Sequence, residues 1–152
     1  MAVDKTRGLP VSHRHARGRT SVDVRGVECR WGTDRGGKPH LKRRTARKKL
    51  RNSLKRFTAW CRETCRSRVR DVFRDLNVKL RGYYRYDGVH GNSPSLQQFF
   101  NSAMRILFKW LNRRSQRRSD TGTGFTELLR HFRVERPRLV GRPNTRMAAL
   151  EA

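Results

Sequence analysis

Ser95 to Ser119, SLQQFFNSAMRILFKWLNRRSQRRS, is the stretch that decides the fold. Leu96, Phe99, Phe100, Ala103, Met104, Leu107, Trp110 and Leu111 recur at three- and four-residue steps. At about 100° per residue this spacing gathers them on one side of an α-helix, and that side must be buried. Arg105 and Lys109 fall roughly opposite, while Arg114 and Arg118 continue the direction of the stripe after its apolar residues end. The pattern predicts a core helix whose last turns leave the core as a basic prong. A plain amphipathic helix with a solvated charged end fits the same spacing.

Composition narrows the partner. The chain has 152 residues, with 38 Lys or Arg against 12 Asp or Glu and a formal net charge of +26. Self-repulsion on that scale points to a polyanion, and the excess of Arg over Lys suits bidentate phosphate contact and stacking on exposed bases. Leu, Ile, Val and Phe supply 32 of the 152 residues, close to the roughly 20% below which disorder becomes the default. One small core with loose ends is therefore expected. The sequence contains neither an apolar run near the roughly 18 residues of a membrane span nor the apolar centre of a signal peptide. A soluble, cytoplasmic chain with no membrane partner is the expectation. Three cysteines, Cys29, Cys61 and Cys65, are an odd number without CxxC spacing, so they are read as reduced, and no metal or cofactor is expected.

Residues 1–21 carry no hydrophobic period and are rich in Arg, Gly and His, the composition of a disordered basic leader. From 22 to 44, Val22, Val24, Val27, Cys29 and Trp31 look strand-like on either side of Gly26. GTDRGGK is turn chemistry and Pro39 to Leu41 can return as a second short strand, which predicts a β-hairpin. Thr45 is placed to cap a helix running to about Thr64, with Leu50, Leu54, Phe57 and Cys61 on its buried face. Between Lys42 and Arg56 stand nine Lys or Arg and no acid. Like charges at i,i+4 destabilise a helix, so this density makes most sense against phosphates, though a solvated face carries such runs too.

A second helix is expected from about Arg68 to Tyr86, its face formed by Val69, Val72, Phe73, Leu76, Leu80, Tyr83 and Tyr84. Asp71 and Asp75 favour its N-terminus rather than forming a catalytic pair. GVHGNSP breaks the pattern, and Pro94 suits the first turn of the organising helix. Phe125, Leu128, Leu129 and Phe132 predict a short fourth helix, and Pro137 and Pro143 exclude another beyond it. The expected architecture is mainly α: a three-helix bundle with a small N-terminal β-hairpin and a short C-terminal helix, the helical domain spanning 45–140 and a flexible tail 141–152.

Four phrases in series resemble one family: RWGTDRGGKPHLKRRTARKKL, LNVKLRGYYRYDGVHGN, KWLNRRSQRRS and GFTELLRHFRVERPRLVGRP. They resemble the C-terminal maturase-specific region, also called domain X or the thumb, of bacterial group II intron-encoded reverse transcriptases. The resemblance covers about Val24 to Pro143. It implies a three-helix bundle that grips group II intron RNA and supports its folding and splicing. Its RNA-gripping character falls on Lys42, Arg43, Arg44, Arg47, Lys48, Lys49 and Arg51 of the first basic run. It falls also on Arg81, Gly82, Tyr83 and Tyr84 of the LRGYY phrase, and on Lys109, Arg113, Arg114, Arg117 and Arg118 of the third helix. Phosphate neutralisation by the cations and base stacking by the tyrosines are the physical roles, although Tyr83 and Tyr84 fit a core equally.

The fingers, the palm and its YxDD-type acidic motif are absent from this sequence, so no catalytic residue is expected and the chain is not read as an enzyme by itself. The alternatives are a thumb fragment that serves RNA-directed DNA polymerase activity only with a separate fingers–palm chain, and a non-functional decayed copy. A DNA-binding helix-turn-helix is a further rival, but GVHGNSP is longer than its usual tight turn. VRGVEC stands where the family reads FLGFEF, Asp87 and Asp120 where it has tyrosines, and Gly122 where it has tryptophan. Each change is one T-to-G substitution away, a shared direction that suggests gene decay or a sequencing fault. Asp87 in particular should cost stability on an apolar stripe unless the helix has already ended.

Overall fold

A computed structural model of the chain describes residues 21–24, 26–33, 36–114 and 121–140. The strands are β1 (Ser21–Val24), β2 (Val27–Thr33) and β3 (Pro39–Thr45), and the helices are α1 (Arg47–Thr64), α2 (Val69–Asp87), α3 (Ser93–Arg114) and α4 (Gly122–His131). The chain is mainly α, as its periodicities require. The expected leader up to residue 20, the tail 141–152, and Arg117 and Arg118 of the prong lie outside the described residues.

The hairpin expected over 22–44 is β2 paired with β3, Trp31 opposite Leu41 and Cys29 opposite Arg43. Upstream, the valines form a strand of their own, making an antiparallel sheet in the order β1-β2-β3. Gly26 turns the chain between the first two strands at φ +78°, a region open to glycine. Its amide donates to Asp23 Oδ1 at 2.8 Å. Its carbonyl accepts from the Ala46 amide at 2.9 Å, tying this turn to the start of α1.

α1, α2 and α3 bury one shared core. It takes Leu50, Phe57 and Cys61 from α1, Val72, Phe73, Leu76, Leu80 and Tyr84 from α2, and the apolar stripe from Leu96 to Leu111 from α3. Burying each large side chain contributes about 1.5–3 kcal/mol. Ring contacts fix the seams: Phe57 meets Phe99 edge-on at 6.2 Å, and Tyr83 stacks on Phe99 at 3.7 Å. Cys61 and Cys65 are free thiols inside this core. Their mutual hydrogen bond, followed by burial, holds the Cys61 thiol above its ordinary range.

α4 returns over the bundle, with Phe125 against Phe108 at 5.1 Å and Phe132 stacked on Phe73 at 4.6 Å. Thr121 caps it, its hydroxyl accepting from the Gly124 amide. Segment 133–140 then runs along α2. Asn77 holds it twice, donating to the Phe132 carbonyl and accepting from the Glu135 amide. The Val140 amide bonds the Gly88 carbonyl at 2.9 Å. A Cβ at Gly88 would lie 2.1 Å from the Tyr84 carbonyl, so glycine is required where this segment passes the end of α2.

The junction of strand and bundle is polar. Thr45 does not cap α1 as expected: it ends β3 and is buried, and the N-cap position falls to Ala46, which makes no side-chain cap. The reason is Asn92. Its Oδ1 accepts from the Thr45 amide at 2.8 Å, and its Nδ2 donates to Thr45 Oγ1 at 2.8 Å and to the Asp87 carbonyl at 2.7 Å. Ser95 Oγ offers the Thr45 amide a second acceptor at 3.3 Å. Asp87 is the last residue of α2 and is 2% exposed, yet it is not an unpaired acid on an apolar stripe, because Lys49 Nζ reaches its carboxylate. Removing either partner of such a pair strands a buried charge.

Asn92→Ala is expected to destabilise the chain by about 2–4 kcal/mol, since each buried polar group left unpaired costs about 1–3 kcal/mol. Ser95→Ala, removing only the longer contact, should cost less than ~1 kcal/mol. Urea unfolding midpoints of the two variants check this order; equal losses would contradict it.

Candidate nucleic-acid interface

Along the seam between α1 and α3, three hollows run into one another. The first, between the sheet and the start of α3, is lined by Arg30, His40, Lys42, Arg43 and Arg44 together with Glu28. It shares Arg44 and Gln98 with the second, where Arg47, Arg51 and Lys55 stand. The second shares Lys55 and Thr58 with the third, a cavity of about 880 Å³ holding Arg62, Arg66, Arg113, Trp110 and Glu63. Among the described residues, ten Lys or Arg and two Glu therefore line one continuous groove.

Local sequence explains the line. Arg47, Arg51 and Lys55 follow one another at four-residue steps, and Arg62 falls two turns further along the same side of α1. From Arg47 to Arg62 the helix rises about 22 Å. One strand of a duplex carries roughly six phosphates over that distance at about 3.4 Å each. Within the helix, successive like charges at i,i+4 oppose folding by a few tenths of a kcal/mol per pair. A polyanion in the groove reverses that sign. Trp110 adds an aromatic wall, with the Arg113 guanidinium 5.3 Å from its ring centre.

Of the sequence-predicted residues, Lys42, Arg43, Arg44, Arg47, Arg51 and Arg113 come together in this groove. Lys48 and Lys109 are exposed and line none of its three parts. Arg114 donates to the Ser67 carbonyl at 2.7 Å, so it braces the turn between α1 and α2. Arg81 lies elsewhere, 4.0 Å from Glu135, in a hollow between α2 and segment 138–140. Lys49 turns toward α2 and its ion pair with Asp87. Arg30, Lys55, Arg62, Arg66 and Trp110 belong to the groove and were given no binding role in the sequence reading, which placed Trp110 on the buried stripe; the phase that Lys55, Arg62 and Arg66 share with Arg47 and Arg51 was the available signal.

The tyrosines separate. Tyr84 is 0% exposed and its hydroxyl donates to the Glu135 carbonyl at 3.2 Å, so it is a core residue and cannot stack on a base. Burial, then the Glu135 charge, push its phenol above the ordinary range. Tyr83 is half-buried with one face on Phe99. Burial and then the Asp87 carboxylate raise its phenol too, weakly opposed by Thr45, and the hydroxyl makes no well-formed hydrogen bond. The exposed aromatic of this phrase is Tyr86, 67% exposed, with Lys49 Nζ 4.4 Å above its ring.

Among the described residues no group of three or more His, Cys, Asp or Glu is placed to hold a metal ion. No helix among them is long and apolar enough to cross a membrane. No protein-family model, curated protein or solved structure matches the chain.

Both raised phenols carry a pH consequence. An acid whose folded pKa lies above its unfolded value near 10 favours the folded state fully below that value, and the contribution is lost as pH rises through the folded pKa. Tyr83 and Tyr84 should therefore stay protonated above the usual tyrosine range in the folded chain, and stability should fall with alkalinity from about pH 10 upward. Phenolate absorbance against pH, with and without urea, reads this directly. Full ionisation near pH 10 without urea would contradict the burial of both rings.

Proposed function

We propose that this chain is an RNA-binding module that holds folded RNA along the α1–α3 groove and performs no chemistry of its own. One observation carries the reading: the continuity of a groove lined by ten cations and two acids, built on a helix whose charge phase opposes its own folding. Binding of this kind rests on phosphate neutralisation and on shape, and shape favours structured RNA over an extended coil. The four phrases that resemble the maturase-specific region supply the particular RNA, that of a group II intron, whose folding and splicing the module would support in the cytoplasm. The thumb reading, with a separate fingers–palm chain as partner, has one feature in its favour. Val78, Leu139 and Val140 are exposed together on the α2 side, and apolar surface there does nothing for a phosphate backbone.

Filter binding of the purified chain to the nearest group II intron RNA, and to an unrelated structured RNA of equal length, at two salt concentrations tests the proposal. Affinity should fall steeply with salt, and the intron RNA should be preferred at the higher salt. Arg51→Ala and Lys55→Ala, both exposed, should each weaken binding to both RNAs and lower the salt slope by about 1 without lowering the melting temperature. A salt-insensitive complex would sink the mechanism. Equal binding to the two RNAs would remove the intron assignment and leave general RNA binding, and preference for duplex DNA would replace RNA altogether.

A further inference from the structure

The opposite flank of α1 faces α2 across a second hollow, of about 510 Å³, lined by Arg56, Lys79, Tyr83 and Tyr86 among others. Its chemistry differs from that of the groove, because aromatic rings and cations alternate in it. Tyr86 is the most exposed large apolar side chain among the described residues, yet its ring is not loose. Lys49 Nζ stands 4.4 Å from the ring centre and is itself tied to the buried Asp87 carboxylate, so the ring is positioned by a chain of two charges. Close by, Lys79 Nζ lies 5.3 Å from the centre of the Trp60 ring. With Asp87 neutralised by Lys49, the hollow keeps the positive charges of Arg56 and Lys79. An exposed, held ring beside the cations Arg56 and Lys79 is an arrangement that takes an unstacked base together with its phosphate.

We propose that this hollow receives one unpaired base of the bound RNA, stacked on Tyr86, with the adjoining phosphate on Arg56 and Lys79. The inference rests on the RNA reading of the α1–α3 groove. α1 is the wall common to both, Lys55 lining the groove and Arg56 the hollow, so an RNA lying along this helix meets the two together.

The test uses the full chain and a hairpin RNA with a single-nucleotide bulge, compared with the same hairpin carrying an abasic nucleotide at the bulge. Both have the same phosphates and differ by one base. The chain should bind the bulged RNA roughly tenfold more tightly, within the range of one base–aromatic stack. Tyr86→Ala should abolish that difference while leaving affinity for the abasic RNA unchanged, and Tyr86→Phe should keep it. Equal binding of the two RNAs by the unaltered chain would overturn the inference, as would an equal loss for both RNAs in Tyr86→Ala; in either case the groove reading stands. Binding of neither RNA at moderate salt would overturn the groove reading and the base pocket with it.

Discussion

One buried amide holds the architecture together. Asn92 satisfies the amide and hydroxyl of Thr45 and the last carbonyl of α2, so a single side chain fixes where β3 ends, where α2 stops and where α3 begins. A buried polar group with all its partners in place specifies one arrangement, because any shift leaves several groups unpaired in a low-dielectric interior. Ala46 makes no side-chain cap for α1, and the sheet instead hands the chain into the helix through the Gly26 carbonyl. The basic run from Lys42 to Arg51 thereby crosses from strand to helix without a flexible joint.

The core and the charge share α1 between them. Leu50, Phe57 and Cys61 face inward, and the cations divide over the two remaining flanks. Arg47, Arg51, Lys55 and Arg62 border α3, while Lys49 and Arg56 border α2. Repulsion along the first flank is not relieved by acids, Glu63 being the one carboxylate on the α1 side of the groove. The second flank is relieved in part by Asp87, which was read from sequence as a defect and stands as the partner of Lys49. An acid at that place is consistent with a working site as much as with decay.

The helices were legible because each buries a stripe whose period is set by helix geometry, and α3, with eight apolar positions in phase, was the plainest. The boundary between β1 and β2 was read past, although the alternation changes phase there, from Val22 and Val24 to Val27, Cys29 and Trp31, with Gly26 turning the chain at positive φ between them. Tyr83, Tyr84 and Tyr86 lie within one turn and their local sequence is alike. Their different fates depend on Phe99, Glu135 and Lys49, partners that lie far along the chain. Arg81 shares the composition of the gripping residues and stands apart from them because α2 turns it toward the C-terminal segment. Arg62 and Arg66 escaped notice because the basic run was weighed by its density, whereas the groove follows its phase.

The central claim is that RNA lies along the seam of α1 and α3. Backbone-amide NMR shift mapping of the chain during titration with a short structured RNA tests it most directly. The account expects the largest changes from Lys42 through Lys55, at Arg62 and around Trp110 and Arg113, with little change at Arg81 and Arg138. Changes concentrated at those last two residues, with the seam silent, would contradict it.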